Sequence, residues 1–359
     1  MVRLSLIFRG ALRISLMAVA CAPYARASET ITGVVFNGTT GARAAGDDVV
    51  LLTLDHGSLE VSRSKTAGDG SFRLRTDVLG KHLLRVRHGG VIYQQEVISG
   101  AISRIKVFDA ASDLAGVHET VTIMKIESNG RSLNVTELHS VTNDSTPPRT
   151  LANASNLEIL LSSKSILDSV VVAGPSWRPE KVKPKPIVVG SRQYAVGYPL
   201  RPGTTQFAVK YHLLFSDRAV LHPRLQYPTE LWTVVFPQSM TFRALDKASF
   251  HGLMDQQGVQ VQAITRAAAG SVPGFVVAGV GSLPQIVTPT SAATVSTQSP
   301  IPPRVGAESH VTARATPFLQ VTRKPLAWCG IGGLVALLGI SLAKRWVSAR
   351  PHVQAKVRI

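Results

Sequence analysis

An apolar segment stands near each end of this chain, and the long stretch between them holds no cysteine. The two cysteines, Cys21 and Cys329, fall one in each apolar segment. Whatever lies between therefore closes no disulfide and builds no thiolate metal site. It must fold on hydrophobic cores alone. Ile14–Ala22 follows a basic start of Arg3, Arg9 and Arg13, and Ala25-Arg26-Ala27 supplies the small residues of a cleavage point. Residues 1–27 thus read as a secretory signal, with a lipidated Cys21 as the less favoured alternative because the box before it lacks its usual Leu. Leu326–Ala343 is a run of 18 residues without a charge. At the helical rise it spans about 27 Å, close to what a bilayer core requires. Trp328 and Trp346 lie near its ends as interfacial aromatics do, and Lys344 and Arg345 follow at once, placing 344–359 as a basic cytoplasmic tail. The expectation is a single-pass membrane protein, its large N-terminal part outside the cytoplasm.

The net charge of +17 needs correcting for those ends. Four arginines leave with residues 1–27 and five basic residues sit in the tail, so residues 28–325 keep +8. That is a mildly basic surface, suited to anionic envelope partners, and export argues against nucleic acid.

Between the ends the pattern is β throughout. Ile31–Phe36 and Asp48–Leu54 read as strands. Thr66-Ala67-Gly68-Asp69-Gly70 carries the Asp-Gly signal of a hairpin, and Phe72–Arg75 alternates after it. Leu83–Val86, a Gly89-Gly90 turn and Val91–Val97 complete a small unit over 28–110. Residues 111–285 form a second β-rich region, with Phe207–Leu213, Leu221–Tyr227 and Val259–Ala263 alternating and Trp232–Phe236 as a core strand. From 286 to 325 the composition shifts to Pro, Ser, Thr and Ala, which reads as a linker before the apolar run at 326–343.

The order of Ile31-Thr32-Gly33-Val34-Val35, Val49–Leu52, Thr66-Ala67-Gly68-Asp69-Gly70-Ser71-Phe72 and Leu83–Tyr93 resembles the carboxypeptidase regulatory-like domain. The resemblance implies a transthyretin-like, seven-stranded sandwich of the carbohydrate-binding-like group, and it implies an accessory module with no chemistry of its own. Ala67 stands where that family has Asp. Leu200-Arg201-Pro202-Gly203 leading to Phe207 resembles the tyrosine corner of fibronectin-like sandwiches, one residue longer and with Phe207 in the tyrosine's place. The whole resembles uncharacterised bacterial envelope proteins. The fold class expected is all-β: a transthyretin-like then an immunoglobulin- or fibronectin-like sandwich, a linker and one C-terminal helix.

No catalytic constellation is evident. None of the ten histidines begins an H-x-x-E or H-E-x-x-H motif, and the scattered His56, His82, His88, His118, His139, His212, His222 and His251 read as ordinary strand or surface residues without metal-ligand spacing. There is no nucleophile elbow, phosphate loop or dinucleotide fingerprint, and no cofactor is expected. Candidate ligand contacts are Trp177 and the basic run Lys181, Lys183 and Lys185, which is either a polyproline-like arm meeting anionic groups or a solvated loop. Trp177, Trp232 and Tyr227 are weighed as a sugar-stacking platform against a core role. The expected function is a non-enzymatic, membrane-anchored envelope protein that binds or assembles with another envelope protein; the alternative is a carbohydrate-binding surface protein holding a polysaccharide.

Overall fold

The computed structural model describes residues 28–54, 58–78, 80–98, 100, 102–162, 164–175, 179–245, 250–256 and 258–284. The expected signal, most of the linker, the apolar run with Trp328, the tail with Lys344, Arg345 and Trp346, and Trp177 lie outside them. Regular structure among the described residues is all strand.

The first seven strands are β1 (Glu29–Asn37), β2 (Asp48–Thr53), β3 (Glu60–Lys65), β4 (Ser71–Thr76), β5 (Lys81–His88), β6 (Val91–Ile98) and β7 (Ile102–Val107). They form two sheets, ordered β3-β2-β5-β6 and β4-β1-β7, with β1 and β7 parallel. Alternation decides which side chains face inward. Along β4, Phe72 and Leu74 are buried and Arg73 and Arg75 exposed. Ile31, Val35, Leu51, Leu84, Val86 and Val107 belong to the same core.

The expected hairpin at Thr66–Gly70 is corrected. The turn is there, but β3 and β4 belong to different sheets. The reason is that its two ends are held apart. Thr66 Oγ1 accepts from the Asp47 backbone N–H beside β2, whereas the Gly70 carbonyl accepts from the Val35 N–H of β1. Gly70 takes a φ of +72°, which a side chain would resist.

The second region begins with β8 (Ala110–Ala111), β9 (Val117–Ser128), β10 (Ser132–Asn143), β11 (Thr150–Leu151), β12 (Leu157–Leu160), β13 (Ser165–Ala173), β14 (Glu180–Val182), β15 (Lys185–Pro186) and β16 (Gln193–Val196). It continues with β17 (Gly203–Leu214), β18 (Arg218–Leu221), β19 (Thr229–Pro237), β20 (Thr241–Ala244), β21 (His251–Gln256), β22 (Val259–Ala267) and β23 (Phe275–Ala278). An eight-stranded sheet, β14-β13-β17-β10-β9-β19-β22-β21, faces two three-stranded sheets, β12-β16-β15 and β18-β23-β20. An immunoglobulin constant-type sandwich has four strands on three; here one layer is twice as wide and the other is split. Val135, Val170, Phe207, Val209 and Val234 of the wide sheet share a core with Leu157, Ile159, Val196, Leu221 and Phe275.

The strand expected over Leu221–Tyr227 stops at Leu221. Pro223 and Pro228 offer no N–H to a ladder. Trp232 is core, 1% exposed, its ring 5.7 Å from Phe250 and 6.1 Å from Phe275. It therefore takes no part in a sugar platform.

Candidate functional site

Two acid–histidine–acid clusters stand out, and each is assembled from residues distant in sequence. The first lies where the two cores meet. Strand β5 ends at His88, and the Gly89-Gly90 turn that follows adopts φ values of +54° and +80°. His88 Nδ1 is 2.9 Å from both carboxylate oxygens of Asp47, and its Nε2 is 3.2 Å from Asp109 Oδ1. Asn37 Nδ2 donates to the same Asp109 oxygen at 2.6 Å. Burial opposes a charge on His88, but the hydrogen bonds to Asp47 and Asp109 outweigh it and raise its pKa. The Asn37 amide, then His88, holds the Asp109 carboxyl below the ordinary carboxylate range.

Asp109 also links the two regions through its backbone. Its backbone N–H donates to Thr39 Oγ1 at 2.9 Å, its carbonyl accepts from the Thr150 N–H at 2.9 Å, and the Thr39 hydroxyl donates to the Pro148 carbonyl at 2.6 Å. Beyond it β8 pairs in parallel with β11. On the other side of the joint Arg201 donates from Nη2 to the Ile92 carbonyl, and its guanidinium stacks 5.2 Å from the Tyr93 ring and 5.7 Å from the Tyr198 ring. The first sandwich is thus fastened to the second by hydrogen-bonded and cation–π contacts, with the His88 ion pairs holding Asp109 in place from the first-sandwich side.

The second cluster lies on the core-facing side of the eight-stranded sheet. Glu137 and His139 are two apart on β10 and so share a face. Glu119 reaches the same place from β9 because the register shifts between Ser140 and Val141. His139 Nε2 is 3.2 Å from Glu137 Oε2, and Nδ1 is 3.4 Å from Glu119 Oε1. Tyr211 donates its hydroxyl proton to Glu137 Oε1 at 2.8 Å, and Thr122 donates to Glu119 Oε2. Glu119 is 2% exposed and His139 13%. Burial would lower the His139 pKa, yet the Glu119 charge and then Glu137 outweigh it and push it up to about 10. An imidazolium held in this way stays charged at neutral pH. It ties β10 to β9, while Tyr211 brings β17 to the same Glu137, and it is a poor proton acceptor.

Reading the sequence residue by residue missed both clusters. The one available signal was the Glu137-x-His139 spacing, which places acid and base on one strand face. Among the described residues no group of three or more His, Cys, Asp or Glu is arranged to hold a metal ion.

The predicted basic residues do not form an extended arm. Lys181 lies in β14, paired through Val171, and Lys185 in β15, paired through Ala195; Lys183 joins the two strands. All three are exposed. Tyr227 is half-buried, and its hydroxyl donates to the Asn156 carbonyl at 2.7 Å. Burial pushes that phenol well above its usual range.

No family model matches the chain, and no curated protein does. Among solved structures it is similar to an M1 zinc metallopeptidase from Deinococcus radiodurans, at 14% identity and a TM-score of 0.27, over 45% of this chain and 42% of that one. It is also similar to a variant of a two-domain M1 zinc metallopeptidase bound to L-tryptophan, at 14% identity and a TM-score of 0.28, over 48% and 44%. The chain spans less than half the length of either. A likeness this slight carries neither fold nor chemistry across.

Proposed function

We propose that this chain is a non-enzymatic envelope protein, exported by residues 1–27 and anchored by residues 326–343, whose β-sandwich regions bind or assemble with another envelope protein. The first region is read as a carboxypeptidase regulatory-like module, a reading supported by its seven strands in two sheets. One observation carries the functional proposal. The eight-stranded sheet is open, and among the described residues its outer strand β21 leaves one side without a strand partner within the sheet. Such edges take up an added strand from a partner. The fastened joint lets both regions meet that partner as one body.

Crosslinking in native membranes followed by mass spectrometry tests this. A reproducible partner attached near β21 is the expected result. Recovery of the protein alone under all crosslinker lengths sinks the proposal.

A further inference from the structure

The stretch from Glu180 to Gln193 crosses the seam between two sheets. β14 is the outermost strand of the eight-stranded sheet, and β15 is the outermost strand of β12-β16-β15. Pro184 and Pro186 suit these edges because they lack an N–H that a further strand could use. The chain then turns back through Ile187–Ser191 into β16. The turn is well tied: Ile187 N–H donates to the Gln193 carbonyl at 2.9 Å, and Ser191 donates to the Val188 carbonyl from its N–H at 3.1 Å and its hydroxyl at 2.7 Å. Gly190 takes a φ of +81°.

This hydrogen-bonded tip presents apolar side chains to solvent. Ile187 is 42% exposed, Val188 56% and Val189 96%. Three consecutive exposed aliphatic residues on an ordered turn are costly to leave in water. Immediately before them stand the exposed Lys181, Lys183 and Lys185, and Glu180 is the one acid in the segment. The combination discriminates between partners. Protein interfaces favour aromatic residues and Arg and are depleted in Lys. An aliphatic tip preceded by three exposed lysines matches the interface of an anionic bilayer, where apolar burial and attraction to lipid phosphate add together.

We propose that the Ile187–Gly190 tip inserts into the headgroup layer of an anionic membrane, with Lys181, Lys183 and Lys185 set against lipid phosphates. This is a second membrane contact, independent of any span at 326–343 and of any protein partner. It lays the edge of the second sandwich against the lipid surface.

The test uses the full chain with Cys21→Ser, Cys329→Ser and Val189→Cys, labelled with an environment-sensitive fluorophore. The labelled protein is reconstituted in vesicles of phosphatidylcholine alone or mixed with phosphatidylglycerol. The mixed vesicles should shift emission to the blue and allow quenching by headgroup-proximal spin-labelled lipid; a label at Ser58→Cys should remain in water. Each lysine replaced by Ala should lower the inserted population about fivefold, and high salt should do the same. Identical emission in both vesicle types overturns the proposal. So does a shift that survives loss of all three lysines, or an equal shift at Ser58→Cys. None of these outcomes bears on the crosslinking result.

Discussion

The hydroxyl of Tyr93 in the first sandwich lies 2.7 Å from the hydroxyl of Thr150 in the second, and both residues are buried. A phenol has one proton, and the Phe108 carbonyl, 2.9 Å away, takes it. The Tyr93 oxygen is then left to accept from Thr150 and from the Phe108 N–H at 3.1 Å. Tyr93→Phe removes all three bonds while keeping the ring beneath Arg201. The expected loss is about 1–3 kcal/mol, because the Phe108 N–H and the Thr150 hydroxyl lose their buried partner. Urea denaturation of wild type and variant measures it; an unchanged midpoint contradicts the joint described here.

The same joint should respond to pH through His88. Its folded pKa is raised, so its stabilising contribution is fully present below the unfolded value of about 6.5 and is lost as pH rises through the higher folded value. Asp109 works from the other side. Its folded pKa is lowered, so its contribution holds above about 3.8 and is lost as pH falls through that lower value. The joint is therefore tightest in mildly acidic solution. Cleavage by protease near Asp109 should quicken as pH rises beyond the neutral range, and His88→Gln should cleave at one rate on both sides of it. A wild type with no such dependence contradicts the assignment.

Strands were legible in the sequence at β1, β2, β4, β5, β6, β17, β19 and β22, but β7, β9, β10 and β13 were not read although each also buries one face. The alternation of β4 and β17 announces itself because charged or polar residues interrupt the apolar ones at a period of two. β3 was not legible: Glu60–Lys65 lies at a sheet edge and buries none of its side chains fully. The histidine clusters were hidden for another reason. Asp47 and Asp109 lie 41 and 21 positions from His88, so the fold has to bring β2 beside β5 and the end of β7 beside both. Glu119 meets His139 only after the β9–β10 register slips by one residue, a shift that the residue types do not announce.

Gly33 offers a sharper test of the first sandwich. It sits in β1 opposite Phe72 on one side and Ser103 on the other. A Cβ there would lie 2.3 Å from the Ser103 carbonyl oxygen and 2.5 Å from the Phe72 ring. Backbone cannot yield to that contact without opening the sheet, so Gly33→Ala should cost about 1–3 kcal/mol. Gly68→Ala, where an added Cβ meets nothing within 4 Å, should stay within about 0.5 kcal/mol of wild type. Thermal unfolding of the two variants side by side decides it, and equal effects would remove the steric account.

His139 carries the largest single expected effect. Replacing it with Leu leaves Glu119 and Glu137 facing each other in the core without the cation between them, a change that costs about 3–5 kcal/mol when one member of a buried ion pair is lost. The sign of the pH dependence follows from its folded pKa of about 10. Its contribution is complete below the unfolded value of about 6.5 and disappears as pH rises towards 10. Tyr211 and Tyr227, which face these acids, also have raised values, so their own loss of stabilisation begins only near the ordinary phenol value of about 10. Below the phenol range both His88 and His139 carry raised values, so urea denaturation between about pH 6.5 and 9 compares wild type with His88→Gln and with His139→Leu. Over that range wild-type stability should fall steadily, and His139→Leu should be less stable and fall less steeply, keeping only the part of the slope that His88→Gln removes. A variant that keeps the wild-type slope would place the titrating group elsewhere.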